Sequence, residues 1–211
     1  MKQTVHWMLL LAVLLPVAVT AQKKPVTLKK LMKDYAFYPQ SVKGVRSMDN
    51  GTHYTTLEAR GRSIVKYAYW TGEKAEVIFD LNENPIEGVS KINEYRFSPD
   101  EGKVLLMTNR EPIYRRSFTA EYYVFDRESQ SINPLSENGR QEVAAFSPEG
   151  NKVAFVRNNN LFYKDLDAGE EISVTTDGKF NHIINGKPDW VYEEEFGFNK
   201  AYEWAPDGSK I

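Results

Sequence analysis

One phrase recurs along this chain, and it constrains the fold more than any other feature. It reads Phe97-Ser98-Pro99-Asp100-Glu101-Gly102-Lys103-Val104, then Phe146-Ser147-Pro148-Glu149-Gly150-Asn151-Lys152-Val153, and finally Trp204-Ala205-Pro206-Asp207-Gly208-Ser209-Lys210-Ile211. A weaker copy is Arg46-Ser47-Met48-Asp49-Asn50-Gly51-Thr52-His53-Tyr54. Counted from Ser47, Ser98, Ser147 and Ala205, the steps are 51, 49 and 58 residues. A period of that size marks a repeat architecture, in which no unit buries its apolar face alone and neighbours supply one another's core.

Each of the three strong copies is an aromatic strand end, a turn with Pro and an acidic residue before Gly, and a new strand, which is a hairpin signature; the weaker copy keeps the Asp-Asn-Gly turn without the Pro. Further short β-type runs lie between copies at 63–69, 75–79, 122–125, 161–163 and 172–175. With the strands flanking each turn, every period holds four strands. Four-stranded units of about 40 to 50 residues describe the blades of a β-propeller. A stacked β-sandwich shares the strand length but does not require self-similarity, and stands second.

The expected fold is therefore all-β, an incomplete β-propeller of about three blades plus the start of a fourth. Closure needs at least about four blades, and an open sheet edge invites aggregation, so the chain reads as the N-terminal piece of a longer protein. Residues 45–211 are assigned to this partial propeller, and 22–44 to a lead-in. Within the lead-in, Leu28, Leu31, Met32 and Tyr35 follow helical spacing behind a Thr27 cap, which predicts a helix over 27–35.

Residues 1–21 are of another kind. Lys2 precedes an apolar run from 7 to 19, and Val19 and Ala21 stand three and one before a cut after Ala21. This is the pattern of a secretory signal peptide, and the run is shorter than the roughly 20 residues of a membrane span. An exported protein is expected, whether periplasmic, on the cell surface or secreted, with retention as an anchor the alternative.

Charge and composition remove several classes of function. Lys+Arg 27 against Asp+Glu 29 gives a net charge of −2, so no overall field draws nucleic acid. With no Cys there is no disulfide, thiol catalysis or cysteine-ligated zinc. His6, His53 and His182 lack metal-site spacing, and neither a metal nor a cofactor is expected.

The 58-residue step contains Asn185-Gly186-Lys187-Pro188-Asp189-Trp190-Val191-Tyr192-Glu193-Glu194-Glu195-Phe196-Gly197, which has no counterpart in the other repeats. Gathering three carboxylates is costly unless solvent, a cation or basic side chains offset their repulsion. In a strand they would alternate faces, whereas in a helical turn they stand about 100° apart and two converge on one ligand. One reading is an ammonium site, since a primary ammonium offers three donors to two carboxylates. The plainer reading is a solvated acidic turn anchored by aromatics. A calcium loop would carry an Asp-x-Asn/Asp-Gly ligand pattern, which is absent here.

A second irregularity is the stretch 109–119, far longer than 157–160 at the corresponding place in the next repeat. Long ordered loops often carry function. Its Arg115 and Arg116 could bind a carbonyl or carboxylate, or pair structurally with Glu193, Glu194 or Glu195. Asn50-Gly51-Thr52 matches a glycosylation acceptor and equally a plain turn.

Asp189-Trp190-Val191-Tyr192-Glu193-Glu194-Glu195, with Tyr114-Arg115-Arg116-Ser117-Phe118 upstream, resembles the N-terminal propeller of the dipeptidyl peptidase IV family of the prolyl oligopeptidase clan. The likeness covers nearly all of residues 27–211; the acidic heptapeptide is specific, whereas the Ser-Pro-Asp-Gly turns are common to many propellers. The resemblance implies that Glu194 and Glu195 hold the α-ammonium of a peptide substrate with a free N-terminus, and that Arg115 contacts the carbonyl of its first residues. Glu193 would be structural. Arg116 stands where the family often has His, and alignment through Ser117 and Phe118 favours Arg115 over its neighbour.

The resemblance further implies an exported serine dipeptidyl peptidase releasing X-Pro or X-Ala dipeptides, a homodimer when full length, with its triad in an α/β-hydrolase domain. No Ser here lies in a Gly-x-Ser-x-Gly elbow, so no catalytic residue is expected in this chain. The alternative is a noncatalytic propeller that binds peptides or proteins. Adjacent carboxylates do not suit a glycosidase, whose acids must flank a sugar.

Overall fold

The computed structural model describes residues 25–39 and 44–211, which fall in two compact units dividing after Val42. The expected signal peptide lies outside the described residues. Among those described, no helix is long and apolar enough to cross a membrane.

In the first unit, helix α1 (Leu28–Met32) is shorter than its spacing predicts. Thr27 caps it as expected, its side chain accepting from the Lys30 amide at 3.2 Å. The turn closes at Lys33, and Tyr35 takes a positive φ of 46°. All four residues of the expected stripe are exposed, so among the described residues the helix has no buried face to prolong it.

The second unit is all-β, three four-stranded antiparallel sheets in chain order. The first holds β1 (Arg46–Ser47), β2 (His53–Glu58), β3 (Ser63–Ala68) and β4 (Lys74–Asp80). The second holds β5 (Ile92–Phe97), β6 (Lys103–Pro112), β7 (Phe118–Asp126) and β8 (Ile132–Pro134). The third holds β9 (Glu142–Phe146), β10 (Lys152–Arg157), β11 (Asn160–Asp165) and β12 (Glu171–Ser173). Each sheet is a blade whose strands follow one another as a meander, as the repeat requires.

The recurring phrase makes the same hairpin each time. The Ser98 amide donates to Lys103 O at 2.9 Å, Ser147 to Lys152 O at 2.8 Å and Ala205 to Lys210 O at 2.9 Å. Ser98 and Ser147 add a side-chain lock, each Oγ accepting from the Lys amide five residues on. In the weak copy the equivalent bond runs from Met48 to His53 O at 3.0 Å. The register of that copy is therefore set from Met48 and not Ser47. A buried methionine replaces the serine there, which hid the match.

The middle blade is buried on both faces. Val104 and Leu106 of β6 join Ile64, Phe79, Ile92, Tyr95 and Phe125 in a core shared with the first blade, where Phe79 meets Phe125 edge-on at 5.0 Å. Leu105 and Met107 point the other way, into a core with Tyr122, Val124, Val153 and Phe155 shared with the third blade. Strand side chains alternate with period two, so a strand covered on both sides must be apolar at successive positions. That accounts for the unbroken Val104-Leu105-Leu106-Met107 run.

An ion pair fastens the outer part of the third blade. Arg157 donates to Glu171 at 2.5 Å and to Ser136 Oγ at 2.7 Å, while its guanidinium lies 4.3 Å over Phe162. Burial pushes the Glu171 carboxyl up, but bonds from Arg157, Ser136 and Asn138 outweigh it and hold the carboxyl below its ordinary value. A folded pKa below the unfolded one stabilises above the unfolded pKa and is lost as pH falls through the folded value. Glu171→Gln is accordingly expected to cost about 1–3 kcal/mol at pH 7. Its urea midpoint should also fall less between pH 5 and pH 3 than that of the unaltered protein. Equal acid sensitivity in the two would refute this role.

Candidate functional site

Two departures from the repeat meet at one place. The stretch 109–119 is mostly strand, contrary to the loop expected: β6 continues to Pro112, β7 begins at Phe118, and both project as an arm with a five-residue tip at 113–117. A bulge between Thr108 and Glu111, with Asn109 at φ 46°, breaks the ladder between the blade and the arm. Arg110 stacks over Phe118 at 4.4 Å across the two strands. At the root, Arg140 donates to Thr119 Oγ1 at 3.0 Å, to Thr119 O and to Asn109 O. Its other side faces Glu111 and Glu121 at 3.5 and 3.6 Å. Arg140 escaped the sequence reading because its partners lie on strands 19 to 31 residues earlier, and two of its bonds go to main-chain carbonyls, which carry no side-chain signature.

The acidic insertion resolves to helix α2 (Trp190–Phe196). Asp189 caps it by accepting from the Tyr192 amide at 3.0 Å, and Gly197 ends it in the left-handed region at φ 75°. Its approach is pinned to the third blade. The Asn185 amide donates to Asn159 O at 3.0 Å, Lys187 pairs with buried Glu142 at 2.6 Å, and Ala201 donates to Gly186 O at 3.0 Å. Beyond the helix, Tyr202 donates towards Val143 O and Ala154 O.

The helical phase gives the three carboxylates three surroundings. Glu193 turns inward, 2% exposed, and its Oε1 accepts from the amides of Arg116 at 2.6 Å and Ser117 at 2.8 Å. Burial alone would raise its pKa, yet bonds from Ser117 and Arg116 hold it below the usual value, so it stays ionised. Glu194 meets Arg115 Nε at 3.3 Å. Glu195 is exposed and makes no hydrogen bond or ion pair among the described residues.

Of the sequence candidates, Arg115 and Glu194 thus meet, while Glu195 is the next residue along α2 and makes no hydrogen bond or ion pair with either among the described residues. Arg115 is 73% exposed while Glu194 is half-buried, and an ion pair open to water on the arginine side is worth on the order of 1 kcal/mol, so a charged ligand can displace it. Arg116 plays a different part: its amide is bound by Glu193, its carbonyl accepts from Asn199 Nδ2 at 3.0 Å, and its guanidinium lies along Gly197. Tyr192, on the same helix, packs on Phe196 at 5.1 Å and on Phe198 at 6.2 Å. Under the arm, Phe118, Asn199 and Lys200 join Glu94, Arg96 and Tyr122 around a cavity of about 310 Å³. Among the described residues no cluster of His, Cys, Asp or Glu is arranged to hold a metal ion.

Comparison with known proteins bears on this arrangement. The family model for the dipeptidyl peptidase IV (DPP IV) N-terminal region matches residues 98–211, which include the arm and α2. The chain belongs to this family. A probable dipeptidyl-aminopeptidase B of Emericella nidulans is 42% identical over 139 residues, 62% of this chain and 15% of that protein. Another, of Paracoccidioides brasiliensis, is 43% identical over 118 residues, 54% of this chain and 13% of that protein. The crystal structure of Porphyromonas gingivalis dipeptidyl peptidase 4 superposes with a TM-score of 0.78 at 40% identity, covering 88% of this chain and 26% of that one. This DPP IV N-terminal region therefore spans a small part of the length of its relatives, and its blades are those of their propeller.

Proposed function

We propose that this chain is the substrate-capturing segment of an exported serine dipeptidyl peptidase that removes X-Pro or X-Ala dipeptides from peptide N-termini. In this reading Glu194 and Glu195 take the α-ammonium, and Arg115 takes the carbonyl of the first residues. The observation that carries it is the meeting of Arg115 with Glu194 at 3.3 Å, from two separate insertions, beside a Glu195 with no partner among the described residues. The relatives named dipeptidyl-aminopeptidase support the reaction class.

An ammonium bonded to two carboxylates has its three donors directed and its charge balanced. Anchoring that end at a set distance from a nucleophile lets only one peptide bond reach it, so the enzyme measures from the N-terminus. The nucleophile and its partners would come from an α/β-hydrolase domain of the same protein, and a small pocket there would favour Pro or Ala in second place. Export and a full-length homodimer belong to the same reading; the leader-like residues 1–21 support the first.

The test is hydrolysis of an Ala-Pro chromogenic amide by the intact protein, with its amine free or acetylated. Acetylation removes the charge and two donors, and turnover is expected to fall at least about 100-fold, as when an ionic partner of a desolvated pair is lost. Comparable turnover of both substrates would reject the clamp. No turnover of either, with the free-amine peptide still bound, would favour the noncatalytic binding propeller.

A further inference from the structure

The third carboxylate of the triplet does something the clamp reading leaves unused. We propose that Glu193 is a positioning residue that latches the tip of the arm onto α2 and so sets the spacing between Arg115 and the Glu194–Glu195 pair. The inference rests on the clamp reading above.

A two-stranded ribbon is marginally stable by itself, and the arm's tip lies beyond its last paired residues, Pro112 and Phe118. The Arg115–Glu194 pair, open to water on the Arg115 side, is too weak to hold that tip. Glu193 is placed to do so: buried, ionised, and bonded through one oxygen to two successive main-chain amides. Bonds to a charged acceptor are stronger than neutral ones, and these engage backbone, so they fix the chain and not merely a side chain. Asn199 holds the Arg116 carbonyl from the other side, so the peptide units next to Arg115 are tied to residues in and just beyond α2. The Arg115 guanidinium can then leave Glu194 for a substrate carbonyl while its Cα stays in place. The ammonium and carbonyl contacts are tuned by a residue that touches neither group.

Glu193→Ala and Glu193→Gln in the intact peptidase test this, beside Glu195→Gln as the variant that probes the clamp itself. Each is assayed for kcat and KM on a free-amine Ala-Pro chromogenic amide, for turnover of p-nitrophenyl acetate, which has no ammonium, and for melting temperature. Misplacing a binding group by about 1 Å costs about 100-fold. Glu193→Ala is expected to lose about that factor in kcat/KM on the dipeptide substrate, mostly through KM, with ester turnover unchanged. Glu193→Gln keeps an acceptor oxygen and should recover to within about tenfold of the unaltered enzyme.

If Glu195→Gln raises KM while Glu193→Ala does not, the latch is overturned and the clamp stands. If Glu193→Ala lowers ester turnover and melting temperature along with dipeptide hydrolysis, its role is structural alone and the latch is again overturned. If neither variant alters KM, the clamp fails and the latch with it.

Discussion

Glu195→Gln in the intact protein is expected to lower kcat/KM for a free-amine X-Pro substrate by about 100-fold, equal to about 3 kcal/mol. The change keeps size and removes charge, so α2 and its Asp189 cap remain. Glu195 makes no other bond among the described residues, so its replacement has little structural cost, and the loss reports on ligand contact. Glu194→Gln is expected to lose less than Glu195→Gln in net terms. It frees Arg115 from its ion pair while removing one of the two negative charges proposed to face the ammonium, and these act in opposite directions on substrate capture. Steady-state kinetics on the free-amine substrate measure both. An unchanged KM in the two variants together would show that the ammonium is bound elsewhere.

The second large effect concerns the fold. Gly61→Ala is expected to destabilise the blades by at least about 3 kcal/mol, combining backbone strain with a steric clash. Gly61 has φ 91°, at the end of a turn in which Ala59 and Arg60 are also positive. A Cβ there would lie 2.6 Å from the Ile92 carbonyl oxygen. The Gly61 carbonyl accepts from the Ile92 amide at 2.7 Å, so relief of the clash would break a main-chain link between the first two blades. Gly72→Ala is the control. It has a φ of 70° but open space around a new Cβ, and should cost only about 1 kcal/mol. Urea midpoints compare the two, and equal losses would refute the steric argument.

Much of the architecture was legible because hairpins are local. The Pro and Asp-Gly turns, the alternation of strands and the period between copies all act within a few residues, and each copy closes through the same main-chain bond. The double burial of β6 could likewise be read from four successive apolar residues. Residues 109–119 were harder: a polar, Arg-rich stretch has no strand periodicity, and it becomes strand by pairing with itself and resting on Arg140 from the next blade. α1 erred in the other direction, since its spacing suggests a longer helix than an uncovered apolar stripe sustains.

At the site, the acidic triplet and the Arg pair were visible as residue types, together with the alternatives they allowed. Sequence alone established the repeat, the turns, the lack of cysteine chemistry and the two insertions, because these follow from residue identity and short-range geometry. Tertiary structure decided where each carboxylate lies. Asp189 and Gly197 set the length and phase of α2, while Asn159, Glu142 and Gly186 set its place, and that phase turns Glu193 into the arm, Glu194 towards Arg115 and Glu195 outward. Adjacent residues of like charge carry no mark of which will be buried; contacts made across the blades select it.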